Sequence, residues 1–194
     1  RTDAFLRVDV TFTASTTARA ESAARAYTEE VERDDEASEV GVRLLSEDGL
    51  LEGAAELRAP LDIDLRVLGR GGEVDVAGME GAMRIDSIRS VRVTEADDDV
   101  VLGVESGNAL VDARLRPGSA IDVGVGAGDV QIDLPEPLSA SVEAMATEGV
   151  VSSHPALPSR PPSVPYRETA GAGGASVVAT TRRGAVVFRA RRGN

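Results

Sequence analysis

The first apolar pattern along the chain has a period of two. Between Phe5 and Thr13, Leu6, Val8, Val10 and Phe12 alternate with Arg7, Asp9 and Thr11, which predicts a half-buried strand. The period then lengthens. Ala20, Ala23, Ala24, Tyr27 and Val31 fall at three- and four-residue spacings in a stretch rich in Ala, Glu and Arg, with Thr16 or Thr17 available as N-cap. This predicts one helix over residues 18–31. Asp34 to Ser38 reads as a charged turn, after which Val40, Val42 and Leu44 alternate with Gly41, Arg43 and Leu45 in a second strand. Residues 1–56 thus read as a strand, helix, strand cap.

From Leu57 onward the pattern becomes a series of short strands roughly ten residues apart. They are read at 61–67, 73–76, 82–86, 90–94, 100–104, 109–113, 120–125, 129–134 and 140–144, each alternating apolar with charged or small residues. Gly71-Gly72, Glu80-Gly81, Ser106-Gly107-Asn108 and Gly126 to Asp129 mark the turns, where glycine supplies the positive φ of a tight corner. Such spacing fits a sandwich, a barrel or a solenoid. Internal similarity favours the solenoid. The stretches at 80–86, 105–112, 126–133, 147–151 and 181–188 share one form: polar residues, a glycine, at most one linking residue, then an alternating strand. Such units bury their apolar faces by stacking on one another.

Residues 154–174 interrupt the series as a Pro/Gly-rich loop. Pro155, Pro158 and Pro161 recur every third residue, as one face of a polyproline II helix requires, but a long surface loop is the simpler reading.

Composition narrows the core and the partners. Aromatic residues make up 3% of the chain, so the core is expected to be built from Val, Leu, Ile and Ala. The net charge of -12 excludes a general nucleic-acid binder, which needs a basic face. Arg182, Arg183, Arg189, Arg191 and Arg192 form a basic cluster, expected on an exposed last strand and tail. All 21 basic residues are Arg. Acidity without Lys fits a GC-rich genome and a salt-loving host, and acidity is also common without one.

Cysteine is absent, which removes disulfides, thiolate metal sites and a Cys nucleophile. No apolar run approaches the roughly 20 residues of a membrane span. The chain begins at Arg1, and a signal peptide is expected to have been removed.

Few constellations carry chemistry. His154 is the sole histidine, in the Pro-rich stretch, so neither a Ser-His-acid triad nor a His-based zinc site is expected. Asp97, Asp98 and Asp99 offer hard oxygen ligands for calcium, but they lack EF-hand or nonapeptide spacing and read more simply as a charged corner. Asp62 with Asp64, or Asp75 with Asp86, could line one outer face as a carboxylate pair, although a solvated face explains them as well. Gly124 to Gly128 lacks the Gly-Lys-Ser/Thr end of a phosphate loop and reads as corner glycine. Tyr166 is the one candidate for stacking on a sugar. No catalytic, cofactor or metal residue is assigned.

Gly-Ala-Gly-Asp-Val at 126–130, the Leu-Pro before Ser139 to Val142, and the glycine-rich loop before 175–187 together resemble the bacterial "putative adhesin" domain of unknown function. The resemblance covers most of the chain from Leu57. It implies a right-handed, single-stranded β-helix-like solenoid, usually exported.

The expectation is thus a mostly β, single-domain chain over 1–194, with a cap at 1–56 and repeats at 57–194. Its expected role is a non-catalytic, periplasmic or cell-surface module that contacts a surface polysaccharide or an envelope protein. A carboxylate-dependent carbohydrate-active enzyme and a periplasmic scaffold are the alternatives.

Overall fold

The computed structural model describes residues 7–12, 27–34, 39–46, 53–58, 64–69, 73–154, 157–160 and 164–191. Among these, every regular element is a strand. Near the beginning of the chain are β1 (Arg7–Phe12), β2 (Tyr27–Asp34), β3 (Glu39–Ser46) and β4 (Gly53–Arg58). The middle contributes β5 (Asp64–Gly69), β6 (Val74–Ala77), β7 (Met83–Ser87), β8 (Val91–Ala96), β9 (Val100–Ser106), β10 (Ala109–Ala113), β11 (Ala120–Ala127) and β12 (Val130–Pro135). The remainder are β13 (Ala140–Glu148), β14 (Val151–His154), β15 (Leu157–Arg160), β16 (Tyr166–Ala170), β17 (Ala175–Arg183) and β18 (Val186–Arg191). No helix among the described residues is long and apolar enough to cross a membrane.

From β5 to β14 the chain alternates between two sheets, so that each odd strand lies in a nine-stranded sheet and each even strand in a seven-stranded one. Two consecutive strands, one per sheet, make a rung. Neighbouring rungs pair in parallel and in register, as in Met83↔Val100↔Ile121 along one sheet and Val91↔Ala109↔Val130 along the other. Period-two alternation then sends one set of side chains between the sheets and the other to solvent. The buried set forms columns: Ile85, Leu102, Val123 and Ala179 share one register row, and Val93, Val111, Ile132 and Phe188 another. Each fully buried Val or Ile here stabilises the fold by about 1.5–3 kcal/mol. The ring centroids of Tyr166 and Phe188 lie 6.3 Å apart, and the row neighbours of Tyr166, Ala144 and Ala179, are small.

The corners explain why glycine recurs. Gly107, Gly128 and Gly184 have φ of +142°, +140° and +141° and stack on one another. A Cβ on Gly128 would lie 2.0 Å from the carbonyl oxygen of Gly107, and one on Gly184 would lie 2.1 Å from that of Gly128. Only glycine fits. The residue after the glycine completes the corner: Asn108 Oδ1 accepts from the Asp129 amide at 3.0 Å, and Asp129 Oδ1 accepts from the Ala185 amide at 2.7 Å. The repeated Gly-Asn and Gly-Asp pairs therefore cap the next rung's backbone.

Three expectations are corrected. Tyr27 to Val31, the end of the expected helix, is part of strand β2, paired antiparallel with β3 in the register Tyr27↔Ser46 to Asp34↔Glu39. Tyr, Thr and Val suit a strand, and pairing overrides the helix propensity of the intervening glutamates. Residues 18–26, with the candidate N-cap threonines, lie outside the described residues. The expected loop at 154–174 contains two strands: β15 pairs antiparallel with β14, and β16 pairs antiparallel with β13. Pro158 thus sits in a strand, while Pro155 and Pro161 lie outside the described residues.

The third correction concerns the last strand of the chain. In both sheets the final rung, β17 with β18, is internal: the orders run β13-β17-β11 and β14-β18-β12. Arg182, Arg183 and Arg189 are exposed as expected, but with the half-buried Arg191 they stand on strands inside the two sheets, and Arg192 is outside the described residues. β16 and β15 stand at one end of the two sheets.

Candidate functional site

The outer face of the larger sheet carries a shallow hollow of about 330 Å³ where β13, β16 and β17 meet. Alternation aims Ser141 and Glu143 of β13, Arg167 and Thr169 of β16, and Ser176 and Val178 of β17 outward. Register aligns them in two rows, Thr169, Ser141, Ser176 and Arg167, Glu143, Val178. The first is a row of hydroxyls, with Ser141 Oγ 3.4 Å from Thr169 Oγ1. In the second, Arg167 Nη2 donates to Glu143 Oε1 at 2.9 Å. That hydrogen bond and the charge of Glu143 push the Arg167 guanidinium above its ordinary pKa. The hollow thus offers donors and acceptors side by side on an acidic protein. It joins part of the 154–174 excursion to two strands of the stack.

Glu168 also borders the hollow, but it is the register partner of the inward Val142, whereas Glu143 points outward. The two carboxylates therefore leave opposite faces of the sheet. Glu168 accepts a hydrogen bond from the Tyr166 hydroxyl. Tyr166 itself is 6% exposed and packs on Phe188, so the expected stacking platform is a core residue.

The other candidates are dispersed. Asp97 Oδ2 accepts from Arg116 Nη2 at 2.7 Å, Asp98 Oδ1 accepts from the Asp99 amide at 2.8 Å, and Asp99 Oδ1 accepts from the Ala120 amide at 2.7 Å. This triplet is built as a corner, with each carboxylate turned to a protein partner. No three of the described His, Asp or Glu residues come together as a metal cage. Asp75 and Asp86 do not share a face, because β6 and β7 belong to different sheets. Asp86 meets Arg84 at 3.3 Å, Asp64 Oδ1 accepts from the Ala82 amide at 3.0 Å, and Asp62 lies outside the described residues. His154 ends β14 as the register partner of Arg189. Gly124 and Gly126 are strand residues of β11, and Gly128 is the corner.

Among the adjacent carboxylates that sequence reasoning missed is a pair in the stacked strands. Asp112 and Asp133 are register partners on β10 and β12, held by Arg191 Nη1 at 2.5 Å and Gln131 Nε2 at 3.1 Å respectively. The signal was present: each stands five residues after a corner glycine, Gly107 or Gly128. Gly184 and Gly149 place Arg189 and His154 at the same offset.

No protein-family profile matches this sequence, and no curated protein does. Among solved structures, the chain is similar to a "putative cell adhesion protein" from Clostridium sporogenes, with a TM-score of 0.54 at 12% identity. The likeness covers 96% of this chain and 82% of that one. At this identity the likeness is one of fold.

Proposed function

We propose that the chain is a non-catalytic surface-interaction module, a single-domain, right-handed β-solenoid over 1–194 with its cap at 1–56. It works outside the cytoplasm and holds a surface polysaccharide or an envelope protein at the hollow on β13, β16 and β17. The observation that carries this reading is the lining: three hydroxyls in a row beside a guanidinium–carboxylate pair. Such a surface suits a ligand rich in hydroxyls or amides, because each lining group can donate to or accept from it. Both carboxylates at the hollow are engaged and leave opposite faces, which counts against a pair acting on one bond. The fold likeness to a protein described as a cell adhesion protein agrees with the role. The charge of -12 suits a surface that stays soluble in salt.

The test is a binding screen of the purified chain against immobilised polysaccharides, peptidoglycan and envelope fractions, at low and molar KCl. Saturable binding that falls at least tenfold in the double variant Arg167→Ala, Ser141→Ala is expected. Saturable binding unchanged in that variant would move the site elsewhere, and no binding by a well-folded chain would contradict the reading. The carbohydrate-active alternative has its own observation in the Asp112 and Asp133 pair, and glycan cleavage lost in Asp133→Asn would favour it.

A further inference from the structure

The outer face of the larger sheet sets its charges at fixed intervals. From β16 to β7 one row reads Arg167, Glu143, Val178, Asp122, Val101, Arg84, each on its own strand and in register with the next. Asp122 belongs to β11, where alternation turns it outward between the buried Ile121 and Val123, and it is exposed.

Both arginines of this row are taken. Arg167 Nη2 donates to Glu143 Oε1 at 2.9 Å, and Arg84 Nε donates to Asp86 Oδ2 at 3.3 Å. Asp122 stands three strands from the first and two from the second, with Val178 on one side and Val101 on the other. It makes no hydrogen bond or ion pair among the described residues. Between β16 and β7, its carboxylate is therefore the one charge of the row without a partner of opposite sign.

Position ties this charge to the hollow. Val178 lines the hollow and Asp122 is its register partner, so the carboxylate stands one strand, about 4.8 Å, beyond that wall. Ala120 and Gly124, the outward residues before and after it on β11, are too small to screen it from a molecule lying in the hollow.

Charge complementarity then selects the ligand. Because Glu143 occupies the Arg167 guanidinium, an acidic ligand finds no free cation in the lining and meets Asp122 and a net charge of -12 instead. A ligand that carries ammonium groups among hydroxyls meets Asp122 with the first and Thr169, Ser141 and Ser176 with the second. A lysine-rich peptide would also meet Asp122, but side-chain hydroxyls each donate and accept, which matches sugar hydroxyls of the same kind.

We propose that the hollow is read together with Asp122, so that its ligand is an amino-sugar polysaccharide whose free ammonium groups meet that carboxylate. This rests on the hollow being the binding site, and makes Asp122 a specificity-determining residue one strand outside it.

The test compares two probes of equal length, the glucosamine hexamer and its fully N-acetylated counterpart, by calorimetric titration of the full chain. Low salt and about pH 5.5 keep amines protonated and carboxylates ionised. The glucosamine hexamer is expected to bind about fivefold tighter, the scale of one exposed ion pair, with the preference lost in molar KCl. Asp122→Asn is expected to abolish the preference and leave binding of the N-acetylated hexamer as it was. Asp75→Asn removes an exposed carboxylate of β6 in the other sheet and is expected to keep the preference, which separates a local effect from one of net charge. Equal affinity for the two hexamers, binding of neither, a preference that survives Asp122→Asn, or stronger Asp122-dependent binding of hexalysine would overturn the proposal. The hollow is judged separately, by whether the polysaccharide retained in the screen is lost from the Arg167→Ala, Ser141→Ala variant. Hexamer binding untouched by that variant would overturn both.

Discussion

From β5 to β12 the order of strands in space is their order in the chain; from β13 onward the two part company. In the first region each rung stacks on the one made before it. In the second, β13–β14 stands one place out, β15 and β16 return antiparallel along its outer edge, and β17–β18 fills the gap. Both regions use the same local chemistry, with apolar residues turned inward, a stacked glycine at the corner and a side-chain oxygen capping the next rung. The difference teaches that alternation and a corner glycine fix how a rung is built but not which rung it lies against. Contacts of the inserted rung with β11 and β12 join residues more than fifty positions apart in sequence, as Ala185 to Asp129 does, and those with β13 and β14 join residues 35 apart, as Ala140 to Ala175 does.

The comparison is broken most sharply at the corners. If the glycine column runs through the inserted rung, Gly184→Ala destabilises as much as Gly128→Ala, by more than about 4 kcal/mol, since each new Cβ meets a carbonyl oxygen. Gly118→Ala is the control: its φ is +94° but nothing lies within 4 Å, so backbone strain of about 1–2 kcal/mol is the whole expected cost. Chemical denaturation of the three variants measures both. Were β17–β18 at the end of the stack, Gly184→Ala would resemble Gly118→Ala.

Next in size is the core. Phe188 is 4% exposed inside the inserted rung, and Phe188→Ala is expected to cost about 3–5 kcal/mol, against about 2–5 kcal/mol for Ile85→Ala in the consecutive region. Similar midpoint shifts in urea would show that the two regions share one core. The corner caps come third. Asp129→Ala removes the acceptor for the Ala185 amide, an effect of about 1 kcal/mol that Asp129→Asn restores in large part. The smallest change is at the hollow, where Arg167→Ala is expected to leave the melting temperature unmoved, because its partner Glu143 is an exposed surface group.

Much of the consecutive region was legible in the sequence. Each strand from β6 to β13 falls within a few residues of an alternating run, and the recurring Gly-Asn and Gly-Asp corners follow from residue order alone. Alternation reports burial directly, so it is read strand by strand. Three things were hidden, each for a physical reason. β2 is written in glutamate and alanine-flanked sequence with strong helix propensity, and its strand identity comes from its partner β3. β15 and β16 are short, charged or proline-bearing, so no alternation marks them. The hollow was invisible because its walls are 141–143, 167–169 and 176–178, which only the insertion and the antiparallel return bring together. Asp112 and Asp133 could have been aligned by their common offset from a corner glycine, a period that spacing along the strands alone does not reveal.

The central claim, that the last rung lies inside the stack, is tested most directly by amide hydrogen exchange resolved by residue. An internal strand has both sets of amides hydrogen-bonded, whereas an edge strand leaves alternate amides open to water. The account predicts that Ser176 to Arg183 and Val186 to Ala190 exchange as slowly as β11 and β12, while alternate amides of β16 exchange fast. Alternating fast exchange along β17 and β18, with continuous protection in β13 and β14, would contradict it.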